Sequence, residues 1–184
     1  AWTAGMEFFA RAGGLDLTLG AVRLATNHNL LGGSLRFDPG VGLSLAAAVH
    51  CDDQGRQPAL EATLTLDWSI GKWSFLLGGY ANGRGAARTE EYAATPPANT
   101  YTLGRLTLFL QNRLQVDEFL SLTLDSFGNP EDGSLVILPG LLWTVTEGLT
   151  CTVIISVPLG RDGGEYAPSR AGDFGFLARV LAKF

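Results

Sequence analysis

Lysine is almost missing from this chain. Its 184 residues hold only Lys72 and Lys183 against eleven arginines, and the formal net charge is −5. Without a basic stripe there is nothing to displace counterions from a phosphate backbone, so nucleic acid is not an expected partner. Charge of either sign is scarce: 17% of residues are charged, where a soluble domain averages roughly 25%. Cysteine is limited to Cys51 and Cys151, too few for a disulfide framework and too far apart for a zinc knuckle. No stretch approaches the ~18 uninterrupted apolar residues of a membrane-spanning helix. Histidine occurs only as His28 and His50, and no set of His, Cys, Asp and Glu has metal-ligand spacing, so no metal or other cofactor is expected. No nucleophile motif of the Gly-x-Ser-x-Gly kind is present. Gly83-Arg84-Gly85 and the 160–164 glycines lack the strand, loop and helix context of a nucleotide site. Asp52-Asp53 and Glu90-Glu91 read as solvated loop charge. An enzyme is not the expected reading.

What the chain does have is alternation. Period 2 marks a strand with two unlike faces, whereas a helix needs a period near 3.6. In 60–70, Leu60, Ala62, Leu64, Leu66, Trp68 and Ile70 fall on one face, with Glu61, Thr63, Thr65, Asp67 and Ser69 on the other. Phe174, Phe176, Ala178, Val180, Ala182 and Phe184 repeat the pattern at the end of the chain, and similar runs fill most of the rest. Eleven strands are expected, at 2–12, 15–25, 30–37, 41–51, 60–70, 73–82, 101–116, 119–127, 134–146, 149–159 and 173–184. Most reach the ~9 to 11 residues with which a tilted strand crosses a bilayer. Three places break the pattern. Arg23 falls on the apolar face unless a bulge at Gly20-Ala21 changes the phase, 101–116 is longer than one crossing, and Pro139 inside a strand suggests a bulge there.

The connections sort by length. Tight turns are expected at Gly13-Gly14, Asp38-Pro39-Gly40, Gly71-Lys72, Asp117-Glu118 and Glu147-Gly148, alternating with longer polar loops at about 26–32, 51–59, 83–100, 127–134 and 160–173. A barrel whose two ends face different compartments has this asymmetry. Aromatics gather near strand ends: Phe37, Trp68, Trp73, Trp143 and Phe184 by the tight turns, Tyr80, Tyr101, Phe127 and Phe174 by the long loops. Two membrane-interface girdles would place them so.

The ending Asp173-Phe174-Gly175-Phe176-Leu177-Ala178-Arg179-Val180-Leu181-Ala182-Lys183-Phe184 resembles the closing strand of bacterial outer-membrane β-barrel proteins, with a terminal Phe and apolar residues at every second position before it. The stretch 138–150 is similar to the penultimate hairpin of porin-like barrels. The resemblance implies a bacterial outer-membrane location among lipids and lipopolysaccharide. It also implies recognition of Phe176, Val180 and Phe184 by the outer-membrane insertion machinery.

The expected fold is therefore all-β, a single antiparallel up-and-down transmembrane β-barrel of ten to twelve or more strands. Its lumen would be lined by Glu7, Arg11, Asp16, Arg36, Glu61, Asp67, Arg105, Arg113, Asp125 and Arg179. Eleven is an awkward count, because bacterial single-chain barrels are even-numbered. Either 1–14 lies outside the wall, or at least one earlier strand is absent from this chain; the strand-like alternation of Trp2 to Arg11 favours the second. The leading expectation for function is a porin-like passive channel for small polar solutes or ions. Its rivals are a non-conducting anchor or scaffold among other subunits or copies of itself, and a membrane-embedded lipid-modifying enzyme.

Overall fold

A computed structural model describes residues 4–24, 28–38, 40–52, 58–93 and 102–182. Eleven strands run β1 Ala4–Ala12, β2 Leu15–Leu24, β3 His28–Phe37, β4 Gly42–Asp52, β5 Ala59–Ile70, β6 Trp73–Asn82, β7 Leu106–Gln115, β8 Leu120–Asn129, β9 Ser134–Thr146, β10 Leu149–Leu159 and β11 Gly175–Ala182. Each pairs antiparallel with its neighbours in sequence, giving one up-and-down sheet in the order β1 to β11. The sheet is open: no pairing joins β1 to β11 among the described residues. Among the described residues the helices are a 3-10 turn at Thr89–Ala93 and the single turn α1 at Pro168–Ala171. β1 pairs with β2 along its whole length, from Ala4↔Arg23 to Ala12↔Leu15, so this segment belongs to the sheet and does not lie outside it.

The connections 13–14, 38–41, 71–72, 116–119 and 147–148 lie at one end of the sheet, here the turn end; the two longest, 83–105 and 160–174, lie at the other, the loop end, together with 25–27 and 130–133, which are no longer than 38–41. Gly13 and Gly14 both have positive φ, 57° and 82°, as a two-residue hairpin twisted like its strands requires. The Asp117 carboxylate accepts from the N–H groups of Phe119 and Leu120, both at 2.8 Å, and closes the β7–β8 turn. Two long connections are shorter than the sequence suggested: 25–27 and 130–133.

Ladder partners share a face, so register assigns every side chain. One face is apolar across all eleven strands: Leu43, Leu66, Leu77 and Leu110 stand in one row, and Leu122, Leu141, Val153 and Ala178 in another. Leu64, Trp68, Leu108 and Val180 share that face, while Thr65, Asp67, Thr107, Thr123 and Arg179 lie on the other, as the alternation predicted. The apolar face is uncovered: Met6 is 76% exposed, Val180 66%, Phe176 64% and Leu64 49%.

The strands are also staggered. A row of partners starting at Arg11, one residue from the turn end of β1, passes through Asp16, Arg36, Ser44, Thr65, Gly78, Phe109, Phe127 and Val136. It ends at Pro158, one residue from the loop end of β10. The slippage accumulates in one direction, as in strands tilted about a common axis.

Several local expectations are corrected. The β1–β2 register runs through Gly20 and Ala21 without a shift, so Arg23 stays on the apolar face, next to last in β2 and in line with Asn29. A guanidinium there can lie along apolar neighbours and reach the strand end. Pro139 brings no bulge: it pairs in register with Leu124, and the β9–β10 register is the same on either side of it. The bulge lies instead between Leu149 and Thr150, beside the 147–148 turn. The long strand expected at 101–116 begins only at Leu106, because 102–105 is held by loop contacts.

Candidate functional site

The polar face carries the expected charges in register. Arg11 and Asp16 are ladder partners, and the Arg11 Nη2 donates to Asp16 Oδ2 at 2.6 Å. Arg36 reaches Asp67 at 3.3 Å and Asp38 at 3.5 Å. A ladder of alternating sign thus crosses β1 to β5 near the turn end. Asp67 folds over Gly42, where an added Cβ would stand 2.3 Å from its Oδ1, so glycine gives the carboxylate its resting place. Nearer the loop end, His50 Nε2 meets Glu61 Oε1 at 3.3 Å. Among the described residues no hydrogen bond ties His50 to a hydroxyl or thiol that it could activate, and no cluster of three metal ligands occurs.

Glu7, Asp125, Arg113 and Arg179 stand on the same face. Arg113 Nη2 donates to Ser121 Oγ at 3.0 Å and to Gln115 Oε1 at 3.3 Å. Arg105 is the exception among the charges expected on this wall. It precedes β7 in the loop-end cluster, where its N–H donates to Glu131 at 3.2 Å and its Nε to the Gly85 carbonyl at 3.3 Å.

The turn-end aromatics form one belt on the apolar face. Trp68 stacks on Phe75 with centroids 5.1 Å apart, Phe75 on Trp73 at 6.0 Å, and Phe37 and Trp143 stand at the same end of their strands. The loop-end girdle does not match. Tyr80 pairs with Thr63 and Thr107 and so lies on the polar face, as does Phe127 through Phe109, because both fall on the other phase of the alternation. Phe174 is 63% exposed. Tyr101 and Phe184 lie outside the described residues. Phe176 and Val180 lie on the apolar face of β11. Cys51 and Cys151 are free thiols, one at the loop end of β4 and the other near the turn end of β10.

One cluster of buried polar groups was not foreseen. At the loop end, Asn129, Tyr92 and Glu165 are 1%, 3% and 7% exposed. The Asn129 amide donates to Tyr92 Oη at 2.8 Å and to Glu165 Oε2 at 3.0 Å. Glu165 also accepts from the N–H groups of Leu103, at 2.6 Å, and Gly104, at 3.2 Å. Asp132 accepts from the Tyr92 hydroxyl at 2.7 Å and from the N–H groups of Glu165 and Ser134, both at 2.8 Å. Arg170 lies over the Tyr92 ring, 5.4 Å from its centroid. Three loops separated in sequence are bound together in this way, and nothing in their spacing could have revealed it.

Electrostatics in the cluster follow from burial and from the two carboxylates. Burial, then the hydrogen bond to Asp132 and that group's charge, pushes the Tyr92 phenol well above its usual range. Tyr166 is pushed up to about 12, first by burial and then by the Glu165 charge. Burial alone would raise Asp132, but the donors from Ser134, the Glu165 N–H and Tyr92 outweigh it, and its carboxyl sits below the usual range. A carboxyl depressed by folding contributes stability in full above its unfolded value, and that contribution is lost as pH falls through the folded one. The Asp132 contacts should therefore hold at neutral pH, and their contribution should be lost only in strong acid. Hydrogen exchange at the Ser134 and Glu165 amides checks this. In Asp132→Asn these amides should exchange fast already at neutral pH, without the acid step; an unchanged profile would exclude Asp132 as the titrating group.

No family model, no curated protein and no solved structure matches the chain.

Proposed function

We propose that the sheet is the wall of an outer-membrane β-barrel, and that the barrel is a porin-like passive channel for small polar solutes or ions. The observation that carries the reading is the uncovered apolar face, which spans every strand from Met6 to Val180. A water-soluble monomer rarely exposes a contiguous apolar patch beyond a few hundred Å², whereas hydrocarbon is the natural solvent for such a face. The one-directional stagger, the Trp68–Phe75–Trp73 belt and the placing of the two longest connections, 83–105 and 160–174, at one end agree with it. The terminal strand with Phe176 and Val180 suits recognition by the insertion machinery, and the loop end suits contact with lipopolysaccharide.

An open edge is not tolerated in lipid. β1 and β11 both run toward the turn end. A direct seam between them would be parallel, and an antiparallel closure takes an odd number of further strands. The polar face is then the lumen wall. The loop-end cluster stands at its mouth and favours a second reading, a non-conducting scaffold whose mouth is held shut.

Reconstitution in planar bilayers tests the choice. Discrete conductance steps support the channel; insertion without steps supports the scaffold. If the lumen conducts, Arg113→Gln should shift the reversal potential toward cation selectivity, because a fixed positive charge leaves the wall. An unmoved reversal potential would mean that Arg113 does not face the ion path.

A further inference from the structure

The polar face is not polar throughout. Across β1 to β5 it carries the ion pairs described above. Across β7 to β11 it carries Phe109, Phe127 and Val136 in one row, Leu138 next to Val136 on the same face of β9, and Ile154 and Leu177 in a row with Gly140. Phe109 and Phe127 pack in a tilted pair with centroids 6.3 Å apart. The Phe109 ring lies back across Gly78, where an added Cβ would stand 2.3 Å from its Cζ. The ring thus lies back along the sheet surface. A wall that only needs to hold water and ions has no use for this surface, since apolar area facing water is unfavourable at roughly 25 cal/mol per Å².

Charge marks one end of the apolar strip. Arg113 and Arg179 stand toward the turn end, and among the described residues neither meets a carboxylate, unlike Arg11 and Arg36 on the other half of the wall. Asp125, the one carboxylate on the β7–β11 wall among the described residues, stands in the row of Gln111 and Leu138, between the arginines and the aromatic pair. It would repel an anion held beside the aromatics, which leaves the arginine end for the charged head. We propose that this half of the lumen is a binding strip for an amphipathic anion, a hydrocarbon body with a carboxylate or similar head. The body lies on Phe127, Val136 and Leu138, and the head lies at Arg113 and Arg179. The inference rests on the barrel reading, since only closure makes this face a lumen, but it does not need ion conduction.

The test follows access to the strip. In a Cys51→Ala/Cys151→Ala background, Leu138→Cys is introduced and the protein is reconstituted in lipid vesicles. The rate of labelling by a water-soluble maleimide is measured with octanoate, below its micelle concentration, or with acetate. Octanoate should slow labelling about tenfold, the effect of roughly 1.4 kcal/mol of binding at the concentration used, and acetate should not. Adding Arg113→Gln and Arg179→Gln should abolish the protection. Equal protection by acetate, no protection by octanoate, or protection that survives loss of both arginines would overturn the proposal. A thiol at 138 that never labels, while one at 123 does, would mean that protein already fills the strip, which also overturns it. If neither position labels from water, but one at 64 does, the barrel reading has failed instead.

Discussion

Replacing Leu66 by arginine is expected to cost about 2 to 4 kcal/mol of stability in a bilayer, and the same change at Thr63 little or nothing. The two positions are three residues apart on β5 and differ in face. Leu66 stands in a row with Leu43 and Leu77 and is 37% exposed on the apolar side. A guanidinium there must either desolvate in hydrocarbon or draw water and headgroups down to itself. Thr63 stands with Ala46 and Tyr80 on the polar side, one step along the strand face from Glu61, where a new cation finds a carboxylate and water. Urea titration of the protein folded into lipid vesicles reads both changes. Equal costs at 63 and 66, or a larger cost at 63, would mean that the apolar face is not the lipid face.

The second large effect is expected at the loop end. In Gly104→Ala the new Cβ would stand 2.1 Å from Asn129 Nδ2 and 3.2 Å from Glu165 Oε2. Asn129 is almost wholly buried and cannot swing aside cheaply. Its amide would have to leave Tyr92 and Glu165, and each buried polar group left without a partner costs about 1–3 kcal/mol. The 83–93, 129–134 and 160–174 segments should then loosen together, seen as faster hydrogen exchange in all three. Gly79→Ala is the control: its Cβ would have no neighbour closer than 3.4 Å, on the apolar face. If Gly104→Ala behaves like Gly79→Ala, the network does not tie the loops.

The contrast between these two sites is also a contrast in legibility. The face of Leu66 could be read from Leu60 to Ile70 alone, because a strand's side-chain period of 2 depends only on the chain's own geometry. The Gly13-Gly14 hairpin was equally readable, since a two-residue turn needs positive φ and glycine supplies it. Tyr80 and Phe127 were misplaced because an aromatic near a strand end carries no mark of its face until the register is known. Arg23 was expected on the apolar face unless a bulge intervened, and Pro139 was expected to bring one. Each was accommodated without an extra residue, while the actual bulge fell at Leu149/Thr150, where nothing in the residues announces it.

By itself, then, the sequence determined the strand content, the two unlike faces, the placing of the two longest loops at one end and most of the polar-face charges, from Glu7 to Arg179. All of these follow from local periodicity and turn chemistry, which act over a few residues. The tertiary structure alone decided three things. It showed that Arg105 leaves the polar face for the loop end, and that the ion pairs of that face gather on β1 to β5 while Phe109, Phe127, Val136 and Leu138 gather on β7 to β9. It also joined Tyr92, Asn129, Asp132 and Glu165 through one network. Each depends on which residues from distant strands and loops come to lie side by side. That is a matter of register and stagger summed over eleven strands, and no window of the chain contains it.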